Sequence, residues 1–115
     1  MRIKAAIALG IAGAALATLG AAGVASADQV TLYENSNFAG GSVNVYSNVY
    51  DFAGWRFNNG DYVKNNTASA VNYGPDWANI YVNHGYAGNY DTLQPGQWLN
   101  RLGFTYNNNA SLLFF

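Results

Sequence analysis

Residues 32–40 read LYENSNFAG and residues 80–88 read IYVNHGYAG, two versions of one nine-residue phrase set 48 positions apart. In each copy six residues separate a tyrosine, Tyr33 or Tyr81, from a glycine, Gly40 or Gly88, and a second aromatic, Phe38 or Tyr86, stands two places before that glycine. A ring placed before a tight hairpin can fold over the turn and cover its backbone. The glycine supplies a conformation that a residue with a Cβ adopts only under strain. Each phrase also has a later echo, NNTAS at residues 65–69 and NNNAS at residues 107–111. Agreement in register at Tyr, Asn, aromatic, Ala and Gly argues for one structural unit written twice, with repeats at about 28–74 and 75–115.

Upstream of the first copy the chain changes character. Arg2 and Lys4 precede an apolar Ala/Gly/Leu/Ile run over residues 7–22, and Ala25-Ser26-Ala27 offers a small-residue cleavage site. That order reads as an export signal over residues 1–27. The run is poorer in strongly apolar residues than a membrane span of roughly 20 such residues. Removing 27 of 115 residues leaves 88, expected to be secreted, with no membrane contact after processing.

Three basic residues then face six acidic ones, a formal net charge of −3, and no Lys/Arg cluster remains to hold nucleic acid or an anionic membrane. All 18 aromatic residues lie after residue 27, and the polar filler is Asn rather than Lys or Glu. Short alternations at Val30/Leu32, Val43/Val45 and Ile80/Val82, bounded by Gly or Asn, predict antiparallel strands. The closing Leu112-Leu113-Phe114-Phe115 predicts a last strand with alternate residues facing the core. The chain has no cysteine, so a small domain must be held by an aromatic-rich core, by bound ions, or by both. The expected state is a monomer.

On these residues the chain resembles the βγ-crystallins, in particular their secreted microbial, actinobacterial-type members. The family motif joins an aromatic and a glycine to a serine in the last strand of each Greek key. Tyr33, Gly40 and Ser69 match one copy, and Tyr81, Gly88 and Ser111 the other. The resemblance implies an all-β domain of two Greek keys packed as an eight-stranded sandwich.

The resemblance also implies Ca²⁺ at up to two arches, through the pattern Asn/Asp, Asn/Asp, any, any, Ser/Thr, Ser. By similarity the ligands are the hydroxyls of Ser69 and Ser111, the carbonyls of Thr67 and Asn109, and side-chain oxygens of Asn66 and Asn108. The other repeat's hairpin is expected to complete each site, placing the carbonyl of Glu34 beside the second arch and that of Val82 beside the first. The sixth position is Ala70 or Leu112 where the pattern has Ser, and neither arch holds an acid. Neutral donors place such sites at roughly 10⁻⁴ to 10⁻³ M, with Glu34 the one carboxylate positioned to help and the two sites therefore unequal. Read without the family, the same Asn pairs form turns and the serines hydrogen-bond the neighbouring hairpin. Asn65 and Asn109 also begin glycosylation sequons.

Nothing in the sequence assembles a catalytic set, and the chain is read as a non-enzyme. The sole histidine, His84, occupies the hairpin position held by Ser36 in the other copy, and the six acids are spread singly. The secreted crystallin-like metalloproteinase inhibitors share the export signal and the doubled hairpin motif. They imply a second role, with an extracellular protease as partner. This chain lacks the cysteines that brace those inhibitors, and residues 49–64, the longest irregular segment, are its candidate loop. A third role, a toxin-like or carbohydrate-binding module, would draw on Trp55, Trp77 and Trp98 as a sugar platform.

Overall fold

The computed structural model describes residues 27–115, so the export-signal reading lies outside the described residues. Seven strands run through it: β1 (Val30–Asn35), β2 (Ala39–Val45), β3 (Ser69–Asn72), β4 (Ala78–Asn83), β5 (Ala87–Leu93), β6 (Trp98–Leu99) and β7 (Ser111–Phe114). They form two antiparallel sheets, ordered β2-β1-β3-β6 and β5-β4-β7. The eighth position is filled by Val49, which bridges Leu112 of β7 through reciprocal backbone bonds of 2.9 and 3.0 Å.

This topology exchanges the third strand of each repeat. The first repeat contributes β1, β2 and β3 to one sheet but sends Val49 to the other, while β6 of the second repeat crosses to pair with β3. Both repeats therefore build both sheets, and neither half can close its sheet alone.

The period-2 pattern decides which face is inside. Val30 and Leu32 on β1, Val45 on β2, Ile80 on β4, Leu93 on β5 and Leu112 on β7 are all 0% exposed and meet between the sheets. On β7 the expected alternation holds, with Leu112 and Phe114 buried, Leu113 half-buried and Phe115 exposed. Where the two repeats join, the fully buried Asn72 donates from Nδ2 to the carbonyls of Asp76 (2.8 Å) and Leu93 (3.3 Å) and accepts from Gly74 N–H (3.0 Å).

Residues 49–64 contain only isolated bridges, as expected of the longest irregular segment, yet they are packed into the fold. Val49, Phe52, Phe57 and Val63 enter the core, and residues 56–62 form a small hairpin with an Arg56–Tyr62 bridge. Apolar residues spaced too irregularly to signal a strand are drawn inward because burial, not periodicity, decides their position. The three tryptophans do not share a platform. Trp55 packs on Phe52, Trp77 on Phe115, and Trp98 on Phe38 and Tyr73.

Burial predicts a steep contrast along the strands. Ile80→Ala should cost ~2–5 kcal/mol in urea unfolding, while Leu113→Ala, on the half-buried face of its strand, should cost less than half as much.

Candidate functional site

Each hairpin folds back through left-handed backbone at its tip. Asn37 and Phe38 have φ of 61° and 60°, and Gly85 and Tyr86 have φ of 72° and 59°. An aromatic residue in that region is strained by about 1–2 kcal/mol, so a specific interaction must hold it. The serine of the same repeat does so. Ser69 Oγ accepts from Phe38 N–H (3.0 Å) and donates to the Asn35 carbonyl (2.6 Å), and Ser111 Oγ accepts from Tyr86 N–H (3.1 Å) and donates to the Asn83 carbonyl (2.6 Å). The tyrosines lie edge-on against the same tips, with Tyr33–Phe38 centroids 5.7 Å and Tyr81–Tyr86 centroids 6.2 Å apart. Gly40 takes φ of 77°, a left-handed backbone that strains any residue with a Cβ, and an added Cβ would also displace the Asn35 carboxamide, whose nitrogen would lie 2.6 Å away.

The serines sit at the ends of the two arches, and the arches are hydrogen-bonded to each other. Asn65 N–H donates to the Asn109 carbonyl (2.9 Å) and Asn107 N–H to the Thr67 carbonyl (2.8 Å). Asn65 (φ 63°) and Asn107 (φ 51°) take the left-handed turn that asparagine tolerates better than most residues. Ala68 N–H bonds the Tyr33 carbonyl and Ala110 N–H the Tyr81 carbonyl, at 2.9 and 2.8 Å. Thr67, Ser69, Asn109 and Ser111 are 0% exposed, whereas Asn66 and Asn108 are exposed.

The serine of each arch is bonded to the hairpin of its own repeat, while the arches are bonded to each other. The reason is register: β1 pairs directly with β3 and β4 with β7, so Tyr33 faces Ser69 and Tyr81 faces Ser111. The repeats meet arch to arch.

The donors can be tested against what Ca²⁺ requires. The serine hydroxyls are fully buried and engaged on both sides. The Thr67 and Asn109 carbonyls each accept one bond from the opposite arch and keep a second lone pair. Asn109 Oδ1 accepts from Thr67 N–H at 3.2 Å, and its Nδ2, buried without an acceptor, is a donor that faces no cation favourably. Asn66 donates from Nδ2 to the Tyr62 carbonyl (2.9 Å), which leaves its exposed carboxamide oxygen to solvent. The oxygens that keep a free lone pair are thus the exposed Asn66 and Asn108 amides and the buried carbonyls of Thr67 and Asn109, all neutral. Of the two sequons, the one at Asn109 is closed by complete burial, and Asn65 is exposed.

The acids are not all single. Glu34 and Asp61, 27 positions apart, bring their carboxyl groups close enough to share a hydrogen bond when Asp61 is protonated. Asp61 is pushed above its ordinary 3.8 by that bond and by the charge of Glu34, and Glu34 is held below its ordinary 4.5 chiefly by Asp61 and then by Asn59. Glu34 Oε1 accepts from Asn59 Nδ2 (2.7 Å) and Gly41 N–H (3.3 Å). Asp91 plays a different part, its carboxylate collecting the backbone N–H groups of Gly103, Phe104 and Thr105 (3.0, 3.2 and 2.9 Å) in the turn before the second arch. No local spacing announces either arrangement. His84 is exposed, its ring 6.0 Å from that of Tyr50.

No family model and no curated protein matches the chain in sequence. Solved structures do match its fold. A structure from a study of the evolution of the eye-lens βγ-crystallin domain aligns with a TM-score of 0.67 at 23% identity, covering 84% of this chain and 93% of that one. A βγ-crystallin from Ciona intestinalis aligns at 0.61 and 17%, covering 76% and 99%. A βγ-crystallin domain from Clostridium beijerinckii aligns at 0.60 and 20%, covering 76% and 97%. The two exchanged Greek keys therefore adopt the fold of the βγ-crystallin domains.

Two outcomes follow from the geometry. Ser111→Ala leaves Tyr86 N–H and the Asn83 carbonyl without their buried partner and should cost about 1–3 kcal/mol, measured in chelator so that no metal contributes. For the acidic pair, Asp61's raised value favours folding while it is protonated, a contribution lost as pH rises through that value. Glu34's lowered value favours folding above its ordinary range and loses that contribution as pH falls through the lowered value. Asp61→Asn should therefore raise Tm at neutral pH, with the gain closing as pH falls toward 3.8.

Proposed function

We propose that the chain is an exported, non-catalytic binding or structural domain of βγ-crystallin type that takes up Ca²⁺ weakly at the outer rim of its paired arches. The observation that supports this reading is the duplication of a rim in which an exposed asparagine, Asn66 or Asn108, adjoins a carbonyl with a lone pair to spare, Thr67 or Asn109. Oxygen donors of this kind suit a hard cation. Their neutrality keeps affinity at roughly 10⁻⁴ to 10⁻³ M. In this reading the serines hold the hairpins, the carbonyl of Glu34 is offered to the second arch and that of Val82 to the first, and the fold is complete before the ion arrives. At about ten times Kd the ion would add only ~1.4 kcal/mol.

The deciding measurement is thermal unfolding in chelator against about 10 mM Ca²⁺, the working range for such sites, with Mg²⁺ as control and calorimetric titration beside it. A Tm rise of several degrees with Ca²⁺, reduced in Asn66→Ala and Asn108→Ala, is expected. Coincident midpoints and no heat of binding would leave the arches as a structural clasp alone.

A second reading, inhibition of an extracellular protease, is favoured by one feature. The hairpin over residues 56–62 is braced without cysteine: Arg56 donates to the Gly60 carbonyl (2.8 Å) and the Tyr62 hydroxyl (2.7 Å), and its guanidinium lies 4.0 Å over the Tyr62 ring. Its reversal within a few residues presents a knob rather than an extended segment, so contact would cover a cleft rather than thread it. Undiminished activity of thermolysin-like and subtilisin-like proteases at excess protein would reject this reading.

A further inference from the structure

Asn59 is the only asparagine of the chain followed by glycine. It stands exposed at the tip of the 56–62 hairpin, and Gly60 takes φ of 93°. Its carboxamide is bound at both ends, donating from Nδ2 to Glu34 Oε1 (2.7 Å) and accepting at Oδ1 from Asp61 N–H (3.1 Å). Beneath it lies the backbone of β2 at Gly41, where an added Cβ would come within 2.7 Å of the carboxamide. Asn58 fastens the same tip to the same strand, its Oδ1 accepting from Ser42 N–H and its own N–H donating to the Ser42 carbonyl, both at 3.0 Å. The tip is thus docked on the first sheet through two adjacent asparagines, and the second one holds Glu34 only as long as it remains an amide.

We propose that Asn59 is a deamidation site that acts as a one-way charge switch on this docking. Glycine leaves the following backbone nitrogen unshielded, so Gly60 N can attack Asn59 Cγ. The N–Cγ bond forms, the Cγ–Nδ2 bond breaks, and ammonia leaves with the proton from Gly60 N. Water then opens the cyclic imide at either carbonyl, giving aspartate or isoaspartate. The folded hairpin slows the first step, because Gly60 N–H is donated to the Phe57 carbonyl (2.9 Å) and the carboxamide is tethered away from it. Conversion therefore proceeds through transient opening of the tip.

The product cannot re-dock as before. A carboxylate at 59 no longer donates to Glu34 and sets a like charge at hydrogen-bond distance from it, with Asp61 as the third acid. Among the described residues Arg56 is the one cation in contact with this turn, and its guanidinium is engaged with the Gly60 carbonyl and Tyr62. Phe57 and Val63 remain in the core, so the domain stays folded while its tip is released.

The test combines mapping with charge mimicry. The full-length mature chain is held at mildly alkaline pH, folded and in urea, and the amide-to-acid mass change is located by peptide mapping. Conversion at residue 59 first, and faster in urea than in the folded protein, is expected. Asn59→Asp should lower Tm at low salt by ~4–8 °C, the shift of about one lost interaction in a domain of this size. High salt should restore much of that loss by screening the repulsion. Asn59→Gln, which spoils the fit without adding charge, should show a salt-independent loss. Conversion at another asparagine first, equal rates folded and unfolded, or an Asn59→Asp variant whose salt response matches that of Asn59→Gln would overturn the proposal.

Discussion

Two hydrogen bonds, Asn65 N–H to the Asn109 carbonyl (2.9 Å) and Asn107 N–H to the Thr67 carbonyl (2.8 Å), join the two arches reciprocally. They require left-handed backbone at residues 65 and 107, and asparagine meets that requirement at little energetic penalty. Ser69 and Ser111, at the ends of the arches, clamp their hairpins, and the strands they begin, β3 and β7, pair in register with β1 and β4. The strained residues at the hairpin tips persist because the clamp opposes the strain directly, serine Oγ accepting from the N–H of the left-handed aromatic.

Strand exchange explains how a domain of this size manages without disulfides. Because Val49 pairs with β7 and β6 pairs with β3, each sheet contains chain from both repeats, and opening one repeat exposes the core of the other. Cooperativity of this kind makes a single layer of Val, Leu, Ile and Phe between the sheets sufficient. The second device is outside the core. Tyr33, Phe38, Tyr73 and Trp98 on one sheet, and Tyr50, Tyr81, Tyr86 and Tyr90 on the other, form chains of edge-on or tilted ring contacts that roof the outer faces. These rings remain partly exposed, so they brace the hairpins without drawing the sheets into a further layer.

The two halves share a plan and differ in their surface chemistry. The first repeat steadies its arch-side loop with Glu34, Asn58 and Asn59 against β2, whereas the second uses the carboxylate of Asp91 to gather three backbone N–H groups. The first arrangement places two carboxylates and an amide together and responds to charge. The second commits its single carboxylate to the backbone N–H groups of one turn and the Thr105 hydroxyl. Any division of labour between the repeats therefore starts with the acids at residues 34 and 61 and the amide at 59.

The doubled phrases at residues 32–40 and 80–88 and the later NNxAS echoes determined the repeat, the hairpins and the all-β class, because aromatic, glycine and asparagine requirements at tight turns are local and readable residue by residue. The alternation of Val30, Leu32, Ile80 and Leu112 likewise announced which faces are buried. Tertiary structure alone decided that Val49 and β6 change sheets, that the two arches are bonded to each other, and that Glu34 meets Asp61 across 27 positions. Those outcomes depend on which surfaces two folded halves present to each other. Pairing energy between distant segments leaves no periodic mark on the chain that encodes it.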